Sequence, residues 1–440
     1  MANAQTQADD LSLEVPLERR LGAVAVSLSG IGIILGAGIY VLVGEAAGEA
    51  GNGVWLAFAV GAIVAAPTGL AFAELAAMFP EAGAAASYTR EAFGVRTAFM
   101  TGWFDIAVST VGAAAVALGF GGYLDDIASL GATSMAIAVL LGCGVIAYVG
   151  VRETVAVAIA FTLAEAAGLV LVIVIGLPNV GEVDLFSLEN GLVGVLGAGS
   201  LVYFAYQGFE EIATLSEETI DPKRNIPLAI VVAVIVTTTL YVLVAIAAVS
   251  SLPWQQLADS DAPLADVVDA IAGDRWADVI TAIALFATFN TVLLLIATGA
   301  RISYGMARRR LLPAVFGRVS ATRRTPWVAT LIITVAAMAL AATGDIGFVA
   351  QVTNFAVFSL FSIVNAAVIA LRFRRPEAER PFRLPGTLRR VPLIAVVGLL
   401  GNLGLAAYMD RDAFLAGSIL FVIGLAASLY IVRYERTATA

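Results

Sequence analysis

"ILGAGIYVLVG", Ile34 to Gly44, is the stretch on which the fold of this 440-residue chain turns. It lies inside an apolar run long enough to cross a bilayer, yet Gly36, Ala37 and Gly38 sit at its centre. Glycine inside a helix costs about 1 kcal/mol against alanine. Unpaired backbone groups are intolerable in lipid, so a weakened membrane helix is tolerated only where a cavity, an ion or a ligand satisfies the broken segment. The reading is therefore of an interrupted membrane helix whose interruption serves a purpose.

Working outward, the chain is 60% hydrophobic and only 13% charged, where soluble domains carry about 25% charged residues. Apolar runs of spanning length fall at 21–43, 54–79, 97–122, 133–149, 154–178, 192–216, 226–250, 277–305, 327–343, 346–371, 391–408 and 413–432, each suited to a transmembrane helix. The expectation is an all-α integral membrane protein of about twelve helices. Its parts would be a tail at 1–20, a core at 21–372 with halves at 21–178 and 192–372, a loop at 373–390, two more helices at 391–433, and a tail at 434–440. The first run lacks a small-residue cleavage site and reads as a retained span.

Counted loop by loop, 23 of the 25 basic residues fall on one side of this topology, leaving Arg275 and Arg411 on the other. Positive loops stay inside, so both termini are expected in the cytoplasm of a plasma-membrane protein. The net charge of −9 resides mainly in outer loops such as 259–279, which leaves no nucleic-acid footprint. Histidine is absent and Cys143 is alone. Histidine relays, thiolate metal sites and the usual catalytic constellations are thereby excluded, and no enzyme is expected. No cofactor is expected either; a proton or sodium gradient would supply the energy.

A second interruption appears at 203–217, "YFAYQGFEEIATLSE", where Gly208 precedes Glu210 and Glu211. The two interruptions occupy the first and sixth spans, corresponding positions in two five-span halves. That is the pattern of a transporter built from a 5+5 inverted repeat with two broken helices meeting at the bilayer midplane. Amides of Gly36, Ala37, Gly38 and Ile39 would open a half-helix that favours a carboxylate. Carbonyls of Phe204, Ala205 and Tyr206 would close another and favour an ammonium. A zwitterion fits between them.

Five motifs, "GIILGAGIY" (32–40), "FAELAAMFPEAGAAASY" (72–88), "YFAYQGFEEIATLSEETIDPKRNIPLAI" (203–230), "RISYGMARRRLLP" (301–313) and "LRFRRPEAERPFRLP" (371–385), stand in one order along the chain. In them the chain resembles the amino acid/polyamine/organocation superfamily, and 203–230 is similar to cationic amino acid transporter-like members. The resemblance implies an amino acid held between spans one, three, six, eight and ten. By motif, Gly36, Ala37, Gly38 and Ile39 would take its carboxylate, and Ile34 with the carbonyls of Phe204, Ala205 and Tyr206 its amino group, with Phe204 as an aromatic lid and Gly208 in the break. Ala37 replaces a serine found in some relatives, which removes one side-chain contact and leaves backbone recognition intact.

Glu165 lies mid-span, where a carboxylate costs about 2.5–3.5 kcal/mol on insertion scales. A carboxyl that gains and loses a proton there is a coupling device, although some proton-coupled relatives place a lysine at about this position. Glu210 reads as an anchor of the second break. Glu74 and Asp105, nearer the inner ends of their spans, read as capping or solvated groups. Sodium coupling is the rival, with Thr288, Asn290 and Thr291 in span eight as oxygen ligands; exchange is a third mode. Trp55, Trp103, Trp254, Trp276 and Trp327 read as interfacial anchors. The expected function is an amino acid permease working by alternating access, embedded in the lipid bilayer, with oligomeric state open. A channel would need polar stripes along several spans, and an amino acid sensor would bind without flux.

Overall fold

The computed structural model describes residues 21–79, 84–150 and 155–438. The tail at 1–20 with Arg19 and Arg20, residues 80–83 of the 72–88 motif, Arg152, and residues 439–440 lie outside the described residues. Within them the protein is a helical membrane bundle. The first span is split into α1 (Ala23–Leu35) and α2 (Gly38–Ala50), followed by α3 (Val54–Met78), α4 (Ala84–Phe93), α5 (Val95–Ala128), α6 (Ala132–Val149) and α7 (Val155–Gly176). The sixth span is split into α8 (Gly191–Val202) and α9 (Phe209–Thr214). Then come α10 (Pro222–Ser251), the short outer helices α11 (Trp254–Ala258) and α12 (Pro263–Ala272), α13 (Asp274–Arg308), α14 (Trp327–Ala341), α15 (Ile346–Arg374), α16 (Leu393–Ala406) and α17 (Arg411–Ala438).

Among the described residues nine stretches are long and apolar enough to cross a membrane, and Ala23–Leu35, Trp327–Ala341 and Leu393–Ala406 are shorter apolar helices. With each split span counted once, the order of twelve crossings anticipated from sequence results. Large apolar side chains face outward along the spans: Leu141, Leu163, Val174, Ile235, Leu400 and Ile419 are all exposed on the bundle surface, as expected where lipid rather than protein completes the packing. The loop expected at 373–390 leads into a two-stranded hairpin, β1 (Thr387–Leu388) against β2 (Val391–Pro392). The span placed at 391–408 therefore starts at Leu393, and residues 434–438 of the supposed tail extend α17.

The two broken spans run antiparallel beside each other. At one end Leu21 N donates to Glu218 O at 3.0 Å and Ile220 N to Leu21 O at 2.8 Å. At the other, Asn190 Nδ2 donates to Glu49 O at 2.8 Å. This pairing brings the two interruptions to the same depth.

Candidate functional site

α1 stops at Leu35 because Gly36 adopts φ 27° and ψ −152°, outside the helical region, and α2 restarts at Gly38 with no side chain capping it. The first-turn amides of a helix have no carbonyl one turn back within it, so the donors of Gly38 and Ile39 are left for something else. Gly36 does not join them: its amide donates to Gly32 O at 3.3 Å, which removes it from the donor set read from sequence.

The sixth span tightens into a 3₁₀ turn over Tyr203–Tyr206, extends at Gln207, and reaches φ 118° at Gly208 before α9 begins. A side chain at Gly208 would be strained by that φ, and its Cβ would stand 2.9 Å from Ile33 O. Glu210 Oε2 accepts the Gly208 amide at 2.9 Å, the anchoring geometry expected of a carboxylate in the first turn. The breaks touch directly, since a Cβ on Gly38 would stand 2.6 Å from Ala205 Cα.

Two side chains absent from the sequence reading hold this arrangement. Tyr241, buried in α10, places its hydroxyl 2.7 Å from Ile34 O, 2.9 Å from Leu35 O and 3.1 Å from Ala205 O. One proton cannot serve three carbonyls, so acceptor capacity from both breaks remains around it. Asn354, buried in α15, donates to Ser200 O at 2.7 Å and Leu201 O at 2.8 Å, satisfying carbonyls that the end of α8 leaves open. The available signal in both cases was a hydrogen-bonding side chain in the middle of a span.

The breaks border a cavity of about 420 Å³, within the range of small-ligand sites. Of the residues proposed from sequence, Ile34, Gly36, Ala37, Gly38, Phe204, Ala205, Gly208, Glu165, Glu210, Asn290 and Thr291 line it. Ile39 is buried behind the wall. The Tyr206 side chain points away, its hydroxyl donating to Phe58 O at 2.8 Å. Phe204 lays its ring against Gly112 of α5, where a Cβ would be 3.4 Å from Cε2. The walls come from spans one, three, five, six and eight; span ten, assigned to the wall by resemblance, stands behind it and acts through Asn354.

From the breaks the cavity descends past Asp105, Glu211 and Ile302 to Leu21 and Glu218, at the ends of the spans that carry the arginine-rich loops. Among its described lining residues there are carboxylates and no Lys or Arg, so the field inside favours a cationic group. Toward the opposite face Glu189 accepts from Asn52 N at 3.0 Å and Asn52 Nδ2 at 2.9 Å, and Gln351 Nε2 donates to Asp410 at 2.9 Å.

The amino acid permease family profile matches residues 21–423. The chain belongs to the amino acid permease family. An uncharacterized transporter of Mycobacterium tuberculosis is 33% identical over 93% of this chain and 91% of its own length. The branched-chain amino acid permease BcaP of Bacillus subtilis is 29% identical over 94% and 92%. The human cationic amino acid transporter 4 is 29% identical over 88% of this chain and 64% of its own.

In this permease Glu165 is 2% exposed, and its main-chain carbonyl accepts the Tyr40 hydroxyl at 2.8 Å. Tyr40 lies in the first turn of α2, so span five is fastened to the half-helix that starts at the first break. The span-eight oxygens do not converge. Thr288 is buried away from the cavity and its hydroxyl bonds back to Ala284 O at 2.7 Å; Asn290 and Thr291 reach the wall, although the Thr291 hydroxyl likewise bonds back to Ala287 O at 2.9 Å. At 100° per residue, positions 288 and 290 stand about 200° apart on the helix, so the three cannot surround one ion.

Glu74 corrects its sequence reading as a capping or solvated group. It is 1% exposed and pairs with Arg372 at 2.6 Å, with Arg380 at 3.4 Å, and with the Leu384 amide at 2.7 Å. Trp103 also departs from the interfacial role: its Nε1 donates to Leu420 O at 3.1 Å, joining α5 to α17.

Proposed function

We propose that this permease carries amino acids across the plasma membrane by alternating access, recognising the α-carboxyl and α-amino groups with the main chain of its two broken spans. The observation that carries the reading is the contact of Gly38 with Ala205, which brings unused main-chain donors and carbonyls with spare acceptor capacity to one cavity. The carboxylate sits at the amides of Ala37, Gly38 and Ile39. The ammonium sits at the carbonyl oxygens around Tyr241, in a cavity whose acidic walls favour it. Relatives named for branched-chain and for cationic amino acids support an amino acid as cargo and leave its side chain to the cavity.

The two halves, 21–178 and 192–372, form an inverted repeat that rocks around the breaks, and both termini lie in the cytoplasm with the basic loops. In that orientation the cavity of this structure faces inward and the Asn52–Glu189 contacts are the closed outer gate. Glu165 couples transport to protons, because its side chain borders the cavity and its turn is tied to α2 through Tyr40. Sodium coupling through Thr288, Asn290 and Thr291 is weakened by the outward turn of Thr288.

The test is uptake of a labelled amino acid panel into proteoliposomes under imposed pH or sodium gradients, repeated with Glu165→Gln. Saturable uptake driven by an inward proton gradient is expected, with the gradient dependence lost in the variant and exchange retained. Uptake by Glu165→Gln that keeps its full pH-gradient dependence removes Glu165 from the coupling role.

A further inference from the structure

A second cavity, of about 630 Å³, lies away from the first between α6, α13 and α14, at the end of the bundle that carries the basic loops. Arg301 and Tyr304 of α13 and Thr322, Arg323, Arg324 and Thr325 of the following loop supply its polar lining, and no carboxylate belongs to that lining among the described residues. Nor does any described carboxylate form a salt bridge with these three arginines. Arg301 also interacts electrostatically with Glu211, whereas Arg323 and Arg324 have no described carboxylate beside them. Neighbouring guanidinium groups repel each other, and an anion between them offsets that repulsion.

The loop is built rather than draped. Ser320 N donates to Thr325 O and Arg324 N to Ser320 O, both at 2.9 Å, and Thr325 Oγ1 donates to Tyr148 O at 2.7 Å. Arg324 takes φ 58° to close the turn. These bonds fasten consecutive arginines beside the end of α6. Arg308 donates to the Tyr304 hydroxyl at 3.4 Å, which leaves the Tyr304 proton to be given to an oxygen in the cavity. Planar forks plus a hydroxyl donor match the geometry of a phosphate group.

The rim of the cavity decides the source of that phosphate. Val149 at the wall, with Tyr148 beside it, and Trp327 and Leu331, next to the lining residues Pro326 and Thr330, are exposed on the outer surface of the bundle. Aromatic side chains at this level mark the membrane interface, and an apolar rim suits acyl chains, whereas a soluble anion gains nothing from it. We infer that this cavity binds the phosphate headgroup of an anionic phospholipid from the inner leaflet, with its chains lying along the α6–α14 surface. Basic pockets between spans on the cytoplasmic side are a recognised form of such sites.

Thermal unfolding of the full-length permease in neutral detergent tests this, with short-chain phosphatidylglycerol, short-chain phosphatidylcholine or glycerol 3-phosphate added. Phosphatidylglycerol is expected to raise the midpoint in a saturable way, and the other two to leave it unchanged. In Arg323→Ala/Arg324→Ala the half-saturating concentration should rise by about tenfold or more, the factor expected when charge-assisted hydrogen bonds to a phosphate are lost. Arg389→Ala/Arg390→Ala, which removes two exposed arginines elsewhere on the same face, should respond like the wild type. The readout is the lipid-induced difference, so a lower starting midpoint in either variant does not affect it. An unchanged wild-type midpoint, an equal response to phosphatidylcholine, an equal response to glycerol 3-phosphate, or equal loss in the control variant overturns the assignment.

Discussion

At Gly38 the demand on the residue type is steric. A methyl group there would meet the Ala205 backbone at 2.6 Å, and backbone cannot swing aside as a side-chain tip can. Gly38→Ala is expected to cost about 1–3 kcal/mol by overpacking and to weaken amino acid binding by spreading the two breaks; thermal unfolding and equilibrium binding on the purified protein measure the two effects. Tyr241→Phe keeps the packing and removes one hydroxyl shared by three carbonyls. Leaving a buried acceptor unpaired costs about 1–3 kcal/mol, so a lower unfolding midpoint and altered substrate affinity are expected together. An unaltered affinity would mean that the Ile34, Leu35 and Ala205 carbonyls do not meet the ligand. At this scale the sequence disclosed the glycines, because their presence in a lipid-spanning run has a cost that demands a reason. It could not disclose Tyr241, whose partners lie 207 and 36 residues away and whose type suits a span equally well as packing.

Among the elements, the half-helices were legible because each interruption is local. What keeps them in place was not. Asn354 caps α8 from α15, across 154 residues of chain. Asn354→Leu should destabilise the sixth span and reduce binding more than a lipid-facing substitution such as Leu400→Ala. Glu74 misled for a related reason. Its partners Arg372 and Arg380 stand 298 and more residues downstream, and an acid near the end of a span, taken alone, reads as solvated. The structure makes it the point where the segment leading from α15 toward the hairpin is fastened to α3, helped by Arg374 donating to Ala92 O and Arg375 pairing with Glu91. Arg372→Leu alone leaves a buried carboxylate with its main partner gone and should cost about 3–5 kcal/mol, whereas Glu74→Leu/Arg372→Leu should recover much of the loss. Chemical unfolding of the three proteins separates these outcomes, and a double variant as unstable as the single one contradicts them.

For the whole molecule, the number and order of crossings followed from hydropathy, since the bilayer imposes one length on every span. The partner of each span did not follow, because in lipid the choice rests on small-residue contacts and buried polar pairs rather than on apolar area. The cavity reaches Thr214, Leu215 and Glu218 near the basic loops, while Asn52 and Glu189 are hydrogen-bonded to each other at the opposite face. In a Cys143→Ala background, Thr214→Cys in sealed right-side-out vesicles should resist an impermeant thiol reagent and react after permeabilisation. Simultaneous labelling from both sides would indicate a continuous pore instead of alternating access.

The proposed transport mechanism rests on main chain at the two breaks reading the zwitterion shared by all α-amino acids. Competition against labelled amino acid uptake in proteoliposomes tests it most directly, comparing the transported amino acid with its methyl ester and its N-acetyl derivative. Each blocked form removes one charged hydrogen-bonding partner and should compete about tenfold or more weakly. Blocked forms that compete as well as the parent amino acid would contradict recognition at Ala37–Ile39 and at the carbonyls around Tyr241.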